Sequence, residues 1–366
     1  MKETSLVDLV CPALPAGKRC QGHLTLHDVL LPVQRAPGDS TETIEGILVC
    51  QSCGAEYPII AGVLMLVGDI KTYLAQHASE IVRLGASSIS APMMAYLQHV
   101  GANLHESGSP RSDWVNALGI SLYISAHYDQ LASLVDPSHP FAEFLHNYAR
   151  RDLYAQLMDL VEPALGPEKQ VLDIGCHVGG MSWRLAHACK FVYGIDLSFR
   201  AALTARRILL GYPEPLRRYR WYDEGMDYTE RDLAIARREN LEILVASGME
   251  LPFVDATFHV VTCANVVDVV DHPTGLLRES LRTLTRGGHL LQTYPYFWEF
   301  IRTPPEQWLG NKPYGVLGRA VRAYLQETCD IVDEKDEVMW TLRIYDRLFG
   351  LGLNDCILAK KEKLTA

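Results

Sequence analysis

The stretch that most constrains this chain is Val171-Leu-Asp-Ile-Gly-Cys-His-Val-Gly-Gly180, an apolar run that breaks into glycines and then resumes with helical spacing. Gly175 permits a tight turn, and Gly179 and Gly180 let the backbone approach a ligand closely where a helix begins. A second apolar run ends in Gly194-Ile-Asp196, 23 residues after Asp173. An acid in that place can accept hydrogen bonds from both hydroxyls of a ribose. Further strand-like runs are expected at 241–246, 259–264 and 289–293, with helical runs at 181–190 and 274–285. Strand and helix in alternation predict a doubly wound α/β fold, its parallel sheet covered on both faces. Two more strands are expected at 337–345 and 354–360.

Upstream of this region the pattern differs. Four of the nine cysteines fall in the first 53 positions: Cys11, Cys20, Cys50 and Cys53. The other five are scattered among apolar or small neighbours and read as small buried hydrophobes. Cys50-Gln-Ser-Cys53-Gly54 is a knuckle, two thiols on one turn facing one ion, and zinc would take two more soft ligands to complete a tetrahedron. Cys11 and Cys20 are the candidates, with His23 and His27 as substitutes for Cys20. Four protein ligands would leave no open position, so the expected role is structural. Residues 69–150 read as helical, interrupted by a loop at 101–113, and a further helix is expected over about 141–165. The division expected is therefore a metal module at 1–68, a helical lid at 69–150 and a nucleotide-binding α/β domain at 151–366.

These motifs carry two resemblances. The stretches LVDLVCP, CQGHLTL and ILVCQSCGAEYPIIAGVLMLV resemble the zinc-ribbon module that precedes some methyltransferases, with an insertion at 13–19 in the first knuckle. From about 165 to 295 the chain resembles the class I S-adenosylmethionine-dependent methyltransferases, whose first motif reads like VLDIGCGxGG. Leu251-Pro-Phe253 and Arg286-Gly-Gly288 continue that pattern. The resemblance implies a Rossmann-like sheet with Asp173 and the Gly175-Cys176-His177 to Gly179 loop facing the amino-acid end of the cofactor. It implies Asp196 with Leu197 at the ribose, Ser247-Gly248-Met249 along the adenine, and Asn265 on the floor. His177 stands where the family has glycine, Ser247 where it commonly has aspartate, and Val269 where many relatives carry a histidine. A general base is therefore not carried over, and Asp268, Tyr294 and Tyr296 are the candidates to orient or deprotonate an acceptor.

Charge narrows the partners. With 44 acidic against 34 basic residues the formal net charge is −10, the wrong sign for gripping a phosphate backbone over a broad face. No signal peptide and no membrane-length apolar run is visible, so a cytoplasmic location is expected. The reaction expected is methyl transfer to a small molecule of specialised metabolism. The alternatives are cyclisation of the cofactor to azetidine-2-carboxylate with release of methylthioadenosine and, against the charge, RNA methylation. Two aromatic segments are expected either to cover the site or to fill a core: Tyr219, Trp221, Tyr222 and Tyr228, and Tyr294-Pro-Tyr-Phe-Trp298.

Overall fold

The computed structural model describes residues 1–15, 18–29, 34–35, 41–86, 89–102, 104, 110–299, 302–309 and 319–362. The N-terminal module is built of short strands: β1 (Leu24–Val29), β2 (Gln34–Arg35), β3 (Thr41–Glu42), β4 (Gly46–Cys50), β5 (Glu56–Ile60) and β6 (Val63–Leu64). Four of them form an antiparallel sheet in the order β1-β4-β5-β6. Helices follow: α1 (Ile70–Gly85), α2 (Ala91–His99), α3 (Pro110–Tyr128), α4 (Leu131–Leu134), α5 (Ala142–Tyr148) and α6 (Leu153–Val161). The helix expected over 141–165 is thus two helices. Asp152 breaks it by taking an extended conformation and accepting the Ala155 N–H at 2.9 Å, which makes it the N-cap of α6. The loop expected over 101–113 ends earlier, because α3 begins at Pro110; residues 103 and 105–109 lie outside the described residues.

The large domain alternates β7 (Gln170–Ile174), α7 (Gly180–Leu185), β8 (Phe191–Asp196), α8 (Phe199–Leu209), the hairpin β9 (Arg218–Glu224) and β10 (Asp227–Asp232), and β11 (Leu241–Val245). It ends with β12 (Phe258–Ala264), α9 (Pro273–Thr283), β13 (Leu284–Tyr294), α10 (Ala320–Gln326), β14 (Cys329–Tyr345) and β15 (Leu348–Lys361). The sheet has seven strands in the order β11-β8-β7-β12-β13-β15-β14. The first five run parallel, as expected; β15 runs antiparallel to both β13 and β14, so the sheet is mixed. An immediate hairpin between β14 and β15 forces that reversal, since parallel neighbours need a long crossover. The order reverses at β7, between β8 and β12. There two neighbouring strands send their following segments to opposite sides and open a crevice above the carboxyl ends.

The N-terminal module is stitched to the edge of this sheet by main chain. Met65 bridges Val245 in parallel, the Leu66 N–H donates to the Val245 carbonyl at 2.8 Å, and the Val10 N–H to the Pro252 carbonyl at 3.0 Å. Beneath the seam the fully buried Arg206 of α8 pairs with Glu42 of β3 at 3.1 Å and with Glu242 of β11. Edge β11 is thereby covered rather than left open for another chain to pair with.

Candidate functional site

A cavity of about 1190 Å³ opens over the carboxyl ends of the parallel strands. One wall is made by the β7–α7 turn and the ends of β8, β11 and β12. Gly175, His177, Asp196, Leu197, Ser247, Gly248, Met249 and Asn265 all line it. Asp196 braces the turn: its Oδ2 accepts the His177 N–H at 3.0 Å and its Oδ1 the Ser198 N–H at 2.9 Å. Ser247 Oγ accepts the Met249 N–H at 3.2 Å, which leaves the hydroxyl proton to point elsewhere. Asn265 adopts a φ of 58° and accepts a hydrogen bond from Asn354 at 2.9 Å.

Four residues expected to face the ligand do not line the cavity. Asp173 is buried, and its carboxylate accepts from Ser182 Oγ at 2.6 Å and Thr262 Oγ1 at 2.8 Å. It ties α7 and β12 to the first strand. Burial raises its pKa to about 6, although those hydroxyls pull the other way. The Cys176 thiol is buried, and burial raises its pKa well above the ordinary value. Gly179 faces protein: at a φ of 87°, a Cβ there would meet Leu209 at 2.5 Å. Gly180 likewise makes room for a side chain, not a ligand, since its Cβ would lie 2.6 Å from that of His127.

His177 holds a φ of 46°, a conformation that costs a non-glycine residue on the order of 1–3 kcal/mol. Its ring lies against Tyr123 of α3, with centroids 4.0 Å apart. The side chain that replaces glycine therefore pins α3 over the turn. Burial lowers its pKa, and the Asp196 charge opposes that only in part.

The rest of the lining comes from residues that the sequence patterns did not single out. α3 supplies Tyr123 and His127, α6 supplies Leu153 and Tyr154, and the β14–β15 hairpin supplies Trp340, Leu342, Leu351 and Leu353. Of the three acceptor-side candidates, only Asp268 lines the cavity. Its Oδ2 accepts the Phe297 N–H at 2.8 Å, Oδ1 is buried without a partner, and burial raises its pKa. Tyr294 is buried beside Tyr296 and Trp298, and the Tyr296 hydroxyl donates to Asp355 at 2.9 Å. Within that segment it is Pro295 and Phe297 that reach the cavity. Three residues of the other aromatic segment fill a core instead, while Tyr228 is exposed. Tyr219, Trp221 and Tyr222 are buried, and Arg343 sits 4.1 Å above the Trp221 ring.

In the N-terminal module Cys11, Cys20, Cys50 and Cys53 converge, all four sulfurs lying within 4.8 Å of one another. The Cys11–Cys53 and Cys20–Cys50 separations are both 3.6 Å. Sulfurs about 2.3 Å from a tetrahedral zinc would sit about 3.8 Å apart, so the cluster fits that ion. Neither His23 nor His27 belongs to it. The nine-residue step to Cys20 closes because the Cys20 N–H donates to the Ala13 carbonyl and the Gln21 N–H to the Cys11 carbonyl, at 2.9 and 3.1 Å.

The comparisons agree with this geometry. Residues 172–292 match the family model described as a methyltransferase domain. This part of the chain is a methyltransferase domain with the class I Rossmann-like fold. An uncharacterized protein of Methanocaldococcus jannaschii is 28% identical over 67 residues, which is 18% of this chain and 33% of that protein. The chain thus spans about a third of the length of the curated relative it matches. Among solved structures, an S-adenosylmethionine-dependent methyltransferase from Methanosarcina mazei aligns at 19% identity over 55% of this chain and 96% of its own, with a TM-score of 0.38. The N-methyltransferase NodS from Bradyrhizobium japonicum, bound to S-adenosyl-L-homocysteine, aligns at 15% over 68% and 100%, with a TM-score of 0.39. No helix among the described residues is long and apolar enough to cross a membrane.

Proposed function

We propose that the protein methylates a small molecule with an apolar body, held between the strand ends and the β14–β15 hairpin. The observation that carries this reading is a single cavity lined both by Gly175, Asp196 and Ser247 to Met249 and by Trp340, Leu342, Leu351 and Leu353. Its volume exceeds the 300–1,000 Å³ of an ordinary small-molecule site, which leaves room for an acceptor beside the nucleotide. Asp196 would hold the ribose hydroxyls, Ser247 to Met249 would flank the adenine, and Gly175 would sit beneath the amino-acid end. When bound, S-adenosylmethionine supplies an electrophilic methyl group. An acceptor oxygen or nitrogen would attack it in line, with loss of the acceptor's proton. The unpartnered Oδ1 of Asp268 would orient that O–H or N–H, and positioning would supply most of the rate.

The four cysteines would hold one structural zinc. The division into a metal module (1–68), a helical cover (69–150) and a catalytic domain (151–366) serves this reading, with α6 adding to the cover beyond residue 150.

The test begins with the purified protein and S-adenosylmethionine alone, followed by mass spectrometry of the adenosine product. Intact cofactor, then S-adenosylhomocysteine once apolar phenols or amines are added, is the expected result. Methylthioadenosine well above the non-enzymatic background would replace methyl transfer with cleavage of the amino-acid chain. Turnover on RNA alone, with steep salt dependence, would replace the small acceptor.

A further inference from the structure

His127 lies on α3, far in sequence from the glycine turn, yet its Nδ1 accepts the Gly180 N–H at 3.0 Å. That N–H belongs to the first residue of α7, where backbone donors have no partner inside the helix. The close approach depends on Gly180 having no Cβ. A ring nitrogen that accepts a hydrogen bond carries a lone pair, so the proton of the neutral imidazole must sit on Nε2. Burial favours that neutral form, holding the His127 pKa well below its ordinary value.

Nε2 lies 2.7 Å from the hydroxyl of Tyr154. With the proton on Nε2, the ring donates and the phenol oxygen accepts. The hydroxyl hydrogen of Tyr154 is then left without a protein acceptor among the described residues. Both side chains line the cavity, and the His127 ring stands beside the β7–α7 turn, its centroid 6.0 Å from that of His177. Arg184 adds positive charge beside them: it donates to the His127 carbonyl at 2.8 Å and lies 5.6 Å from the Tyr154 ring. It also pairs with Asp152, the N-cap of α6, at 3.1 Å. A hydroxyl that can only donate suits a ligand group that can only accept, such as a carboxylate.

We propose that Tyr154 binds the carboxylate at the amino-acid end of the cofactor, and that His127 is the positioning residue that fixes its hydroxyl as a donor. This rests on the cofactor orientation given under the proposed function. The chain Gly180 to His127 to Tyr154 makes the glycine turn and the helical cover read the same end of the ligand.

The test compares two ligands by calorimetry on the full-length protein: S-adenosylhomocysteine, and methylthioadenosine, which lacks the amino-acid end. Tyr154→Phe is expected to weaken S-adenosylhomocysteine about tenfold or more and to change methylthioadenosine less than twofold. His127→Asn keeps an acceptor for the Gly180 N–H but loses the donor to Tyr154. It is expected to weaken only S-adenosylhomocysteine, and adding it to Tyr154→Phe should cost nothing further. Equal losses for both ligands, or no loss for either, would overturn the proposal. If His127→Asn does not fold, Tyr154→Phe alone decides. Wild-type protein that binds neither ligand would overturn the underlying reading as well, a result distinct from one in which the two ligands respond alike.

Discussion

The Asp196 carboxylate and the His177 backbone N–H are hydrogen-bonded at 3.0 Å, so the acid at the end of the second strand also holds the glycine turn of the first. Replacing Asp196 by alanine removes the proposed ribose acceptor and frees the turn together. Two charge-assisted hydrogen bonds at about 1.5–3 kcal/mol each predict a loss of S-adenosylhomocysteine affinity of about 100-fold or more. Asp196→Asn, which keeps one acceptor oxygen, should fall between. Calorimetric titration of the three proteins checks the order, and wild-type affinity in Asp196→Ala would contradict it.

Arg206 predicts a different kind of loss. It is fully buried between Glu42 and Glu242, which belong to separate modules. Arg206→Leu would strand two buried carboxylates, a cost of about 3–5 kcal/mol. Chemical denaturation should show that drop. Reverting it by the further pair Glu42→Gln and Glu242→Gln would identify stranded charge, rather than lost packing, as the cause.

The four-thiol cluster predicts one zinc per chain by elemental analysis of protein purified without added metal. Cys53→Ser should reduce that content and lower the melting temperature by about 10 °C or more, as metal binding is coupled to folding of so small a module. A metal-free wild type with unchanged melting would argue for a module held by its core alone.

Asp173 predicts a pH effect whose sign follows from burial. Its pKa in the fold, about 6, lies above the ordinary 3.8, so the native protein keeps a proton that the unfolded chain releases. The stability this contributes is present below about pH 4 and is lost as pH rises through about 6, a change of about 3 kcal/mol at most. Stability curves of the ligand-free protein and of Asp173→Asn should diverge across that window and run parallel above it. Parallel curves throughout would mean that Asp173 ionises as it does in water.

The sheet and the residues at its strand ends were legible because each rests on local pattern. The run at 170–174 became β7 without change, and Asp196 fell at the end of β8 as the alternation required. Roles that depend on what packs from elsewhere were not legible. Gly180 read as room for a ligand, and it is room for His127, a lone histidine in a helix that no local motif connects to the turn. Asp173 read as a ligand contact because its neighbours Ser182 and Thr262 are distant in sequence. Tyr294 and Tyr296 alternate on a strand end, and nothing in that spacing reveals that Asp355 engages the second of them. The hairpin wall escaped for the same reason: Trp340 and Gly352 meet across β14 and β15, and each alone is an ordinary strand residue.

The junction at Val245 has a consequence for how the cell's chemistry would reach this enzyme. The Leu66 N–H holds the Val245 carbonyl, and Ser247, two residues later, lines the cavity. Cys53 is the exposed member of the thiol set, and so the one that an oxidant or a competing heavy metal would meet first. Met65 and Leu66 join the cysteine module to the strand that runs into Ser247 to Met249, so a change in the module's fold can reach that part of the cavity without touching a residue that lines it.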